Sequence, residues 1–199
     1  LRQFVSNRAL MVATYGISNG AAFQKDLATA TVGNRAVLDT LAQISRSLSV
    51  DLQKMVTTLS GEVGVVSFEG RGRRMSQMLI INSVNGVDIW HNTFNILSEK
   101  VSMDTIFYEK YSDYEIRELP LHRFPEKLFY PLVSGFNTSY YTKMGNTFFI
   151  GEDLDGLKRY LDDIDREETW GKSVAQNQYL ETTLLESNVS LFLNTPRIW

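Results

Sequence analysis

Cysteine is absent from the 199-residue chain, and histidine occurs only twice. The first absence removes disulfides, thiolate nucleophiles, zinc fingers and iron–sulfur ligation together. It leaves the compartment open, because exported bacterial proteins often lack cysteine as well. His91 and His122 have no partner at a metal spacing such as H-x-x-x-H or H-E-x-x-H, and no G-x-S-x-G elbow presents a serine. No metal and no cofactor is expected. No apolar run reaches the roughly 18 residues of a membrane helix, and no charged-then-apolar leader is visible. A dominant charge is missing too: a net charge of −3 supplies no footprint for nucleic acid or anionic lipid.

What remains is an ordinary globular composition, 43% hydrophobic and 22% charged, which excludes global disorder. A chain of this length buries roughly 70% of its unfolded surface. Nine Tyr and eleven Phe favour strands over an all-helical bundle. The chain opens at Leu1 and stops at Trp199, just after the apolar strand "VSLFLN". The expectation is a piece of a longer chain, with flanking domains of that chain as its first partners.

Along the chain, "RALMVATYG" (8–16) reads as a strand, followed by a helix with Ser18 or Asn19 as N-cap. "NRAVLDTLAQISRSL" sets Val37, Leu38, Leu41, Ile44 and Leu48 on one stripe behind Asn34, and "SVDLQKMVTTLSG" continues the helix until Gly61. "EVGVVSFEG" and "RMSQMLIINSV" are strands around the tip Gly70-Arg71-Gly72. "NGVDIWHNTFNILSEK" returns to helical spacing. Two hairpins follow, turning at Ser112-Asp113 and at Met144-Gly145-Asn146, with an irregular passage through Pro120, Pro125 and Pro131 between them. Helices over "DLDGLKRYLDDI" and "SVAQNQYLETTLLESN", the latter through Tyr179, Leu180, Leu184 and Leu185, precede the last strand. Strand, short polar turn and helix thus recur. The predicted fold is one α+β domain over 1–199, its mostly antiparallel sheet built from hairpins with helices on one face.

The most conspicuous stretch is "FFIGEDLDGLKRYLDDIDREE" (148–168), with eight acidic residues. A calcium loop with Gly156 at its sixth position would begin at Gly151, which carries no side-chain oxygen, and close on Asp162, which is short for bidentate ligation. The helical reading accounts for more. Leu154, Leu157, Leu161 and Ile164 form an apolar stripe bordered by Tyr160, Asp153 is an N-cap, and Asp155 complements the helix dipole. Asp162, Asp163 and Asp165 are then expected to face water.

Other candidates are weaker. His91 in "DIWHNTF" reads as a surface histidine near a helix end, and His122 in "PLHRFP" lies in a loop able to approach a cleft. Arg71, Arg73 and Arg74 in "GRGRR" mark either a solvated hairpin tip or a site for an anionic surface ligand, since no G-x-x-x-x-G-K-[ST] pattern is present. Glu62, Glu69, Glu109 and Glu115 lie near strands and are the carboxylates from which a carbohydrate-active hydrolase would draw its pair. The aromatic run "FNTSYY" (136–141) suits a sugar or peptide groove, or cross-strand core pairs. Asn137 and Asn188 open N-x-[ST] sequons, meaningful only in a eukaryotic secretory route.

The last third, "GNTFFIGEDLDGLKRYLDDID" through "SVAQNQYLETTLLESNVSLFLN", resembles a bacterial domain-of-unknown-function family numbered 3352. The matching positions are Phe149, Ile150, Gly151, Leu154, Leu157, Tyr160 and Leu161, then Ser173, Tyr179, Leu180, Val189, Leu191 and Leu193. These are packing positions over 145–195, so no site residue is carried over. The proline-rich passage 120–131 departs from the family pattern. The resemblance implies an exported protein of the cell envelope or periplasm with no established activity. The expected role is a non-catalytic module of a larger exported bacterial protein that binds or scaffolds, with a protein or glycan ligand.

Overall fold

The computed structural model describes residues 1–70, 72, 74–101, 107–181 and 188–198. It contains one antiparallel sheet of eight strands: β1 (Ala9–Ile17), β2 (Gly61–Glu69), β3 (Met75–Ser83), β4 (Tyr108–Tyr111), β5 (Tyr114–Leu119), β6 (Ser139–Met144), β7 (Thr147–Gly151) and β8 (Val189–Leu193). Their spatial order is β4-β5-β6-β7-β3-β2-β1-β8. The α+β class and the antiparallel pairing are as expected from the hairpins.

The central strands are apolar on both sides because both sides are covered. In β3, Leu79 and Ile81 face one layer while Met78 and Ile80 face the other; in β7, Phe148 and Ile150 oppose Phe149 in the same way. A strand buried twice over loses its polar alternation and reads as the unbroken runs "MLII" and "FFI". Helices therefore lie on both faces, and their expected gathering on one face is corrected. Helices α1 (Gly20–Thr31), α2 (Arg35–Leu48), α3 (Leu52–Thr57), α4 (Val87–Val101) and α5 (Phe124–Leu128) cover the first. Helices α6 (Leu154–Asp165) and α7 (Val174–Glu181), with the N-terminal segment around Val5, cover the second. The short α8 (Thr195–Ile198) follows β8.

Two local readings change. The helical pattern over 35–59 is two helices, because Ser49 takes a left-handed conformation (φ 56°) and Asp51 then caps α3, accepting from the Lys54 N–H at 2.8 Å. Gly61 opens β2 rather than ending a helix. With φ at 143° it sits against the Asn82 carbonyl, and a Cβ there would come within 2.3 Å of that oxygen. Asn19, not Ser18, caps α1, accepting from the Ala22 N–H at 3.0 Å. Leu184 and Leu185, expected in the penultimate helix, lie outside the described residues; α7 is described over Val174–Glu181.

Helix α6 brings the two faces' logic to the acidic stretch. Leu157, Tyr160 and Leu161 are fully buried against Phe68, Ile80 and Phe149, each such side chain contributing about 1.5–3 kcal/mol on burial. Tyr160 belongs to the centre of this stripe rather than its border: its ring packs edge-on to Phe68 at 5.1 Å, and its hydroxyl accepts the Ser6 N–H at 3.3 Å. Asp153 caps the helix as expected, accepting from the Gly156 N–H.

Candidate functional site

The acidic face of α6 is only partly solvated: Asp165 is exposed as expected and Asp162 is half-buried, whereas the burial of Asp163 corrects the expectation for that residue. Asp163 is 5% exposed. It accepts from the Ser6 hydroxyl and from Arg8, whose Nε and Nη2 both lie at 2.8 Å. The Arg8 guanidinium also donates to the carbonyls of Glu69 and Arg159 and lies 5.4 Å from the centre of the Phe68 ring. Asp162 and Asp165 accept from the hydroxyls of Tyr111 and Tyr114 at the β4–β5 hairpin. These carboxylates act as ties between α6, the N-terminal segment and the far edge of the sheet. Burial and the bond to Asp165 push the Tyr114 phenol well up; the bond to Asp162 raises Tyr111.

The other end of the same helix opens a cleft of about 570 Å³. Three pieces of chain form it: Arg74 with Met75 and Ser76 at the start of β3; Gly135, Asn137 and Thr138 before β6; and Glu152, Asp153, Asp155, Gly156 and Arg159 at the exit of β7 and the start of α6. Antiparallel pairing of β3 with β7 and of β7 with β6 puts these three ends side by side, Met78 opposite Gly151 and Gly151 opposite Tyr140.

The loop wall is held by a buried carboxylate. Glu126 of α5 accepts from the N–H groups of Gly135 at 2.6 Å and Phe136 at 2.9 Å, and from the Arg123 guanidinium. Burial pushes its pKa up, but the Arg123 bond and the two backbone bonds outweigh it and hold the carboxyl below its usual range. Gly135 has φ 94° and lies against the Gln77 side chain, with space for a Cβ only 2.9 Å from the Gln77 Nε2. The proline-rich passage is thus a buttress: Pro125 sits in the first turn of α5, and the loop that follows forms one side of the cleft.

The charges in the cleft are divided. Glu152 accepts from the Gln77 N–H at 3.0 Å, and burial raises its pKa against the effect of that bond. Asp153 is committed to the helix cap. Arg74 and Arg159, in contrast, meet no carboxylate within ion-pair distance among the described residues. Two guanidiniums with open donors and two carboxylates already occupied by backbone N–H groups make a surface that can receive acceptor groups from a ligand.

Of the anion-site candidates, Arg74 reaches this cleft, while Arg71 and Arg73 lie outside the described residues. Arg159 escaped the sequence reading. The signal was present: it stands four residues after Asp155, one helical turn on from the capped end. The strand carboxylates do not come together. Glu62 and Glu69 stand at opposite ends of β2, the first bound to the N-terminal ammonium and the second near Arg197. Glu109 lies opposite Ile116 on the α6 side of the sheet and pairs with Lys158, whereas Glu115 lies opposite Lys110 on the other side. His91 is half-buried and bonded to Asn95 at 3.2 Å, with its pKa lowered by burial and nearby cations. His122 is exposed, and its Nδ1 donates to the Asn137 carbonyl at 3.1 Å, behind the cleft loop. Of "FNTSYY", Phe136 and Tyr141 belong to the core below α4 and Tyr140 to the opposite layer, so the run divides between the sheet's two faces.

Among the described residues no group of three metal-ligating side chains is present. No described helix is long and apolar enough to cross a membrane. No family model, no curated protein and no solved structure matches this chain.

Proposed function

We propose that this chain is a non-catalytic binding module, a part of a larger exported bacterial protein related to the uncharacterised family numbered 3352, working outside the cytoplasm. The reading rests on one observation above the others: Arg74 and Arg159 line a single cleft with no carboxylate partner among the described residues, while Glu152 and Asp153 beside them are occupied by backbone donors. The cleft carries carboxylates as well as guanidiniums, so a lone small anion gains little there. An extended polar ligand, a peptide or an acidic glycan, places carboxylate or carbonyl oxygens on the two arginines and donors on Asp155. Among the described residues of the cleft no nucleophile is paired with a base, which favours recognition over turnover.

The test is a chemical-shift titration of the labelled protein with acidic tripeptides and with uronic-acid oligosaccharides. Shifts centred on residues 74–76, 135–138 and 152–159 that disappear in Arg74→Ala and Arg159→Ala support the reading. Turnover of any such ligand that is abolished by changing one cleft residue overturns it, as does binding indifferent to both arginines.

A further inference from the structure

The two edges of the sheet are built differently. At one edge, β4 is four residues long, carries Glu109 and Lys110, and has its Tyr111 tied to α6. Short, charged edges resist added strands. At the other edge β8 reads Val-Ser-Leu-Phe-Leu, with no charge, no proline and no bulge. Val189, Leu191 and Leu193 are 62%, 61% and 55% exposed, a row of three aliphatic side chains on one face.

The hydrogen bonds say where the edge is open. Gly16 donates to Asn188 and Asn194 donates to the Leu10 carbonyl, so the even-numbered residues of β8 are the ones bonded to β1. The N–H and C=O groups of Val189, Leu191 and Leu193 consequently point away from β1, and no described strand lies beyond β8. The residues that offer free backbone groups are the same ones that offer exposed aliphatic side chains.

We propose that two copies of this chain join edge to edge through β8, antiparallel about a two-fold axis at Leu191, into one sheet of sixteen strands. In that register Leu191 faces Leu191 of the second copy and Val189 faces Leu193 of the second copy. All three pairs then fall at hydrogen-bonded positions, giving six backbone bonds. The three aliphatic side chains of each copy merge into one stripe continuous with Met11, Ala13 and Tyr15 on β1, which are paired with them. On the opposite face Ser190 falls beside Phe192 of the second copy, so no two bulky rings collide. A second copy is the occupant because the strand is complementary to itself: the register satisfies each outward backbone group, and an uncharged edge selects no charged partner. This edge is distinct from the Arg74–Arg159 cleft, so the two readings stand or fall separately.

The chain has no cysteine, which permits a register-specific test on the intact 199-residue chain. A Leu191→Cys variant places the two thiols on the axis, about 5.5 Å apart at Cα, within disulfide reach. A Val189→Cys variant places its thiols four residues off register, about 13 Å apart, and cannot bridge. Under mild oxidation the first is expected to form a covalent dimer on a non-reducing gel and the second to stay monomeric. Sedimentation velocity of the unmodified chain at about 100 μM, suited to a junction at the small end of specific interfaces, is expected to show a dimer. Leu191→Lys is expected to convert it to a monomer with an unchanged circular dichroism spectrum, because this side chain is already exposed. A monomer in the unmodified chain, equal cross-linking of the two cysteine variants, or a dimer that survives Leu191→Lys overturns the proposal.

Discussion

Asp163 and Arg8 stand 155 residues apart in sequence and meet at one carboxylate oxygen, which lies 2.8 Å from both Nε and Nη2 of the guanidinium. The pair seals the junction where the N-terminal segment passes over α6. Removing one member leaves the other desolvated and unmatched, which costs more than the pair contributes when intact. Asp163→Ala is therefore expected to destabilise the fold by about 3 kcal/mol in urea unfolding. Asp155→Asn on the exposed side of the same helix is expected to stay within about 0.5 kcal/mol of the parent.

That contrast marks the limit of what the sequence shows. The stripe Leu154, Leu157, Leu161, Ile164 follows from spacing alone and places α6 on a sheet. The burial of Asp163 does not, because its position on the helix is indistinguishable from that of Asp162 until Ser6 and Arg8 arrive from the other end of the chain. The same holds for the cleft. Arg74 stands out by its neighbours in "GRGRR", but its companions Arg159 and Asn137 come from elements joined only by the β3–β7–β6 pairing. Helix caps at Asn19 and Asp153 are local, and the sequence shows the residues that make them; the cap at Asp51 is masked by helical spacing that runs on through 35–59. The two-sided covering is non-local, and its one trace is the loss of alternation in β3 and β7.

Glu126 links pH to the cleft wall. Its folded pKa lies below the unfolded value of about 4.3. A group shifted in this direction stabilises the fold fully above the unfolded pKa, and the contribution is lost as pH falls through the folded one. Stability is expected to decline below about pH 4.5. Glu126→Gln is expected to lose about 1–3 kcal/mol at neutral pH and to show a shallower decline in acid, because the Gly135 and Phe136 N–H groups lose a charged acceptor. Chemical denaturation at several pH values measures both. An unchanged acid slope in the variant would show that other carboxylates set it.

The tyrosines predict the alkaline limb. Burial pushes Tyr141 up to about 12 and raises Tyr160 and Tyr140; Tyr114 is raised by burial and by Asp165. Raised folded values mean that these groups stabilise the protein fully below the unfolded phenol pKa of about 10. The contribution disappears as pH rises toward the folded values. An ultraviolet titration is expected to show a later phenolate fraction that ionises only with unfolding. Tyr114→Phe is expected to shrink the later fraction by one tyrosine.

Asp153 serves the helix and the cleft at once, and the two roles separate by substitution. Its carboxylate caps α6 through the Gly156 N–H while the residue lines the same cleft as Arg74 and Arg159. Asp153→Ser retains a capping oxygen and removes the charge; Asp153→Ala removes both. The alanine variant is expected to lose about 1 kcal/mol of stability and the serine variant a few tenths. If the cleft receives acceptor groups from its ligand, both variants lower the local negative charge and are expected to bind an acidic ligand more tightly. The capping difference between them has no bearing on that gain. Equal affinity in the parent and both variants, measured by titration calorimetry, would show that the ligand's charge is read elsewhere on the molecule.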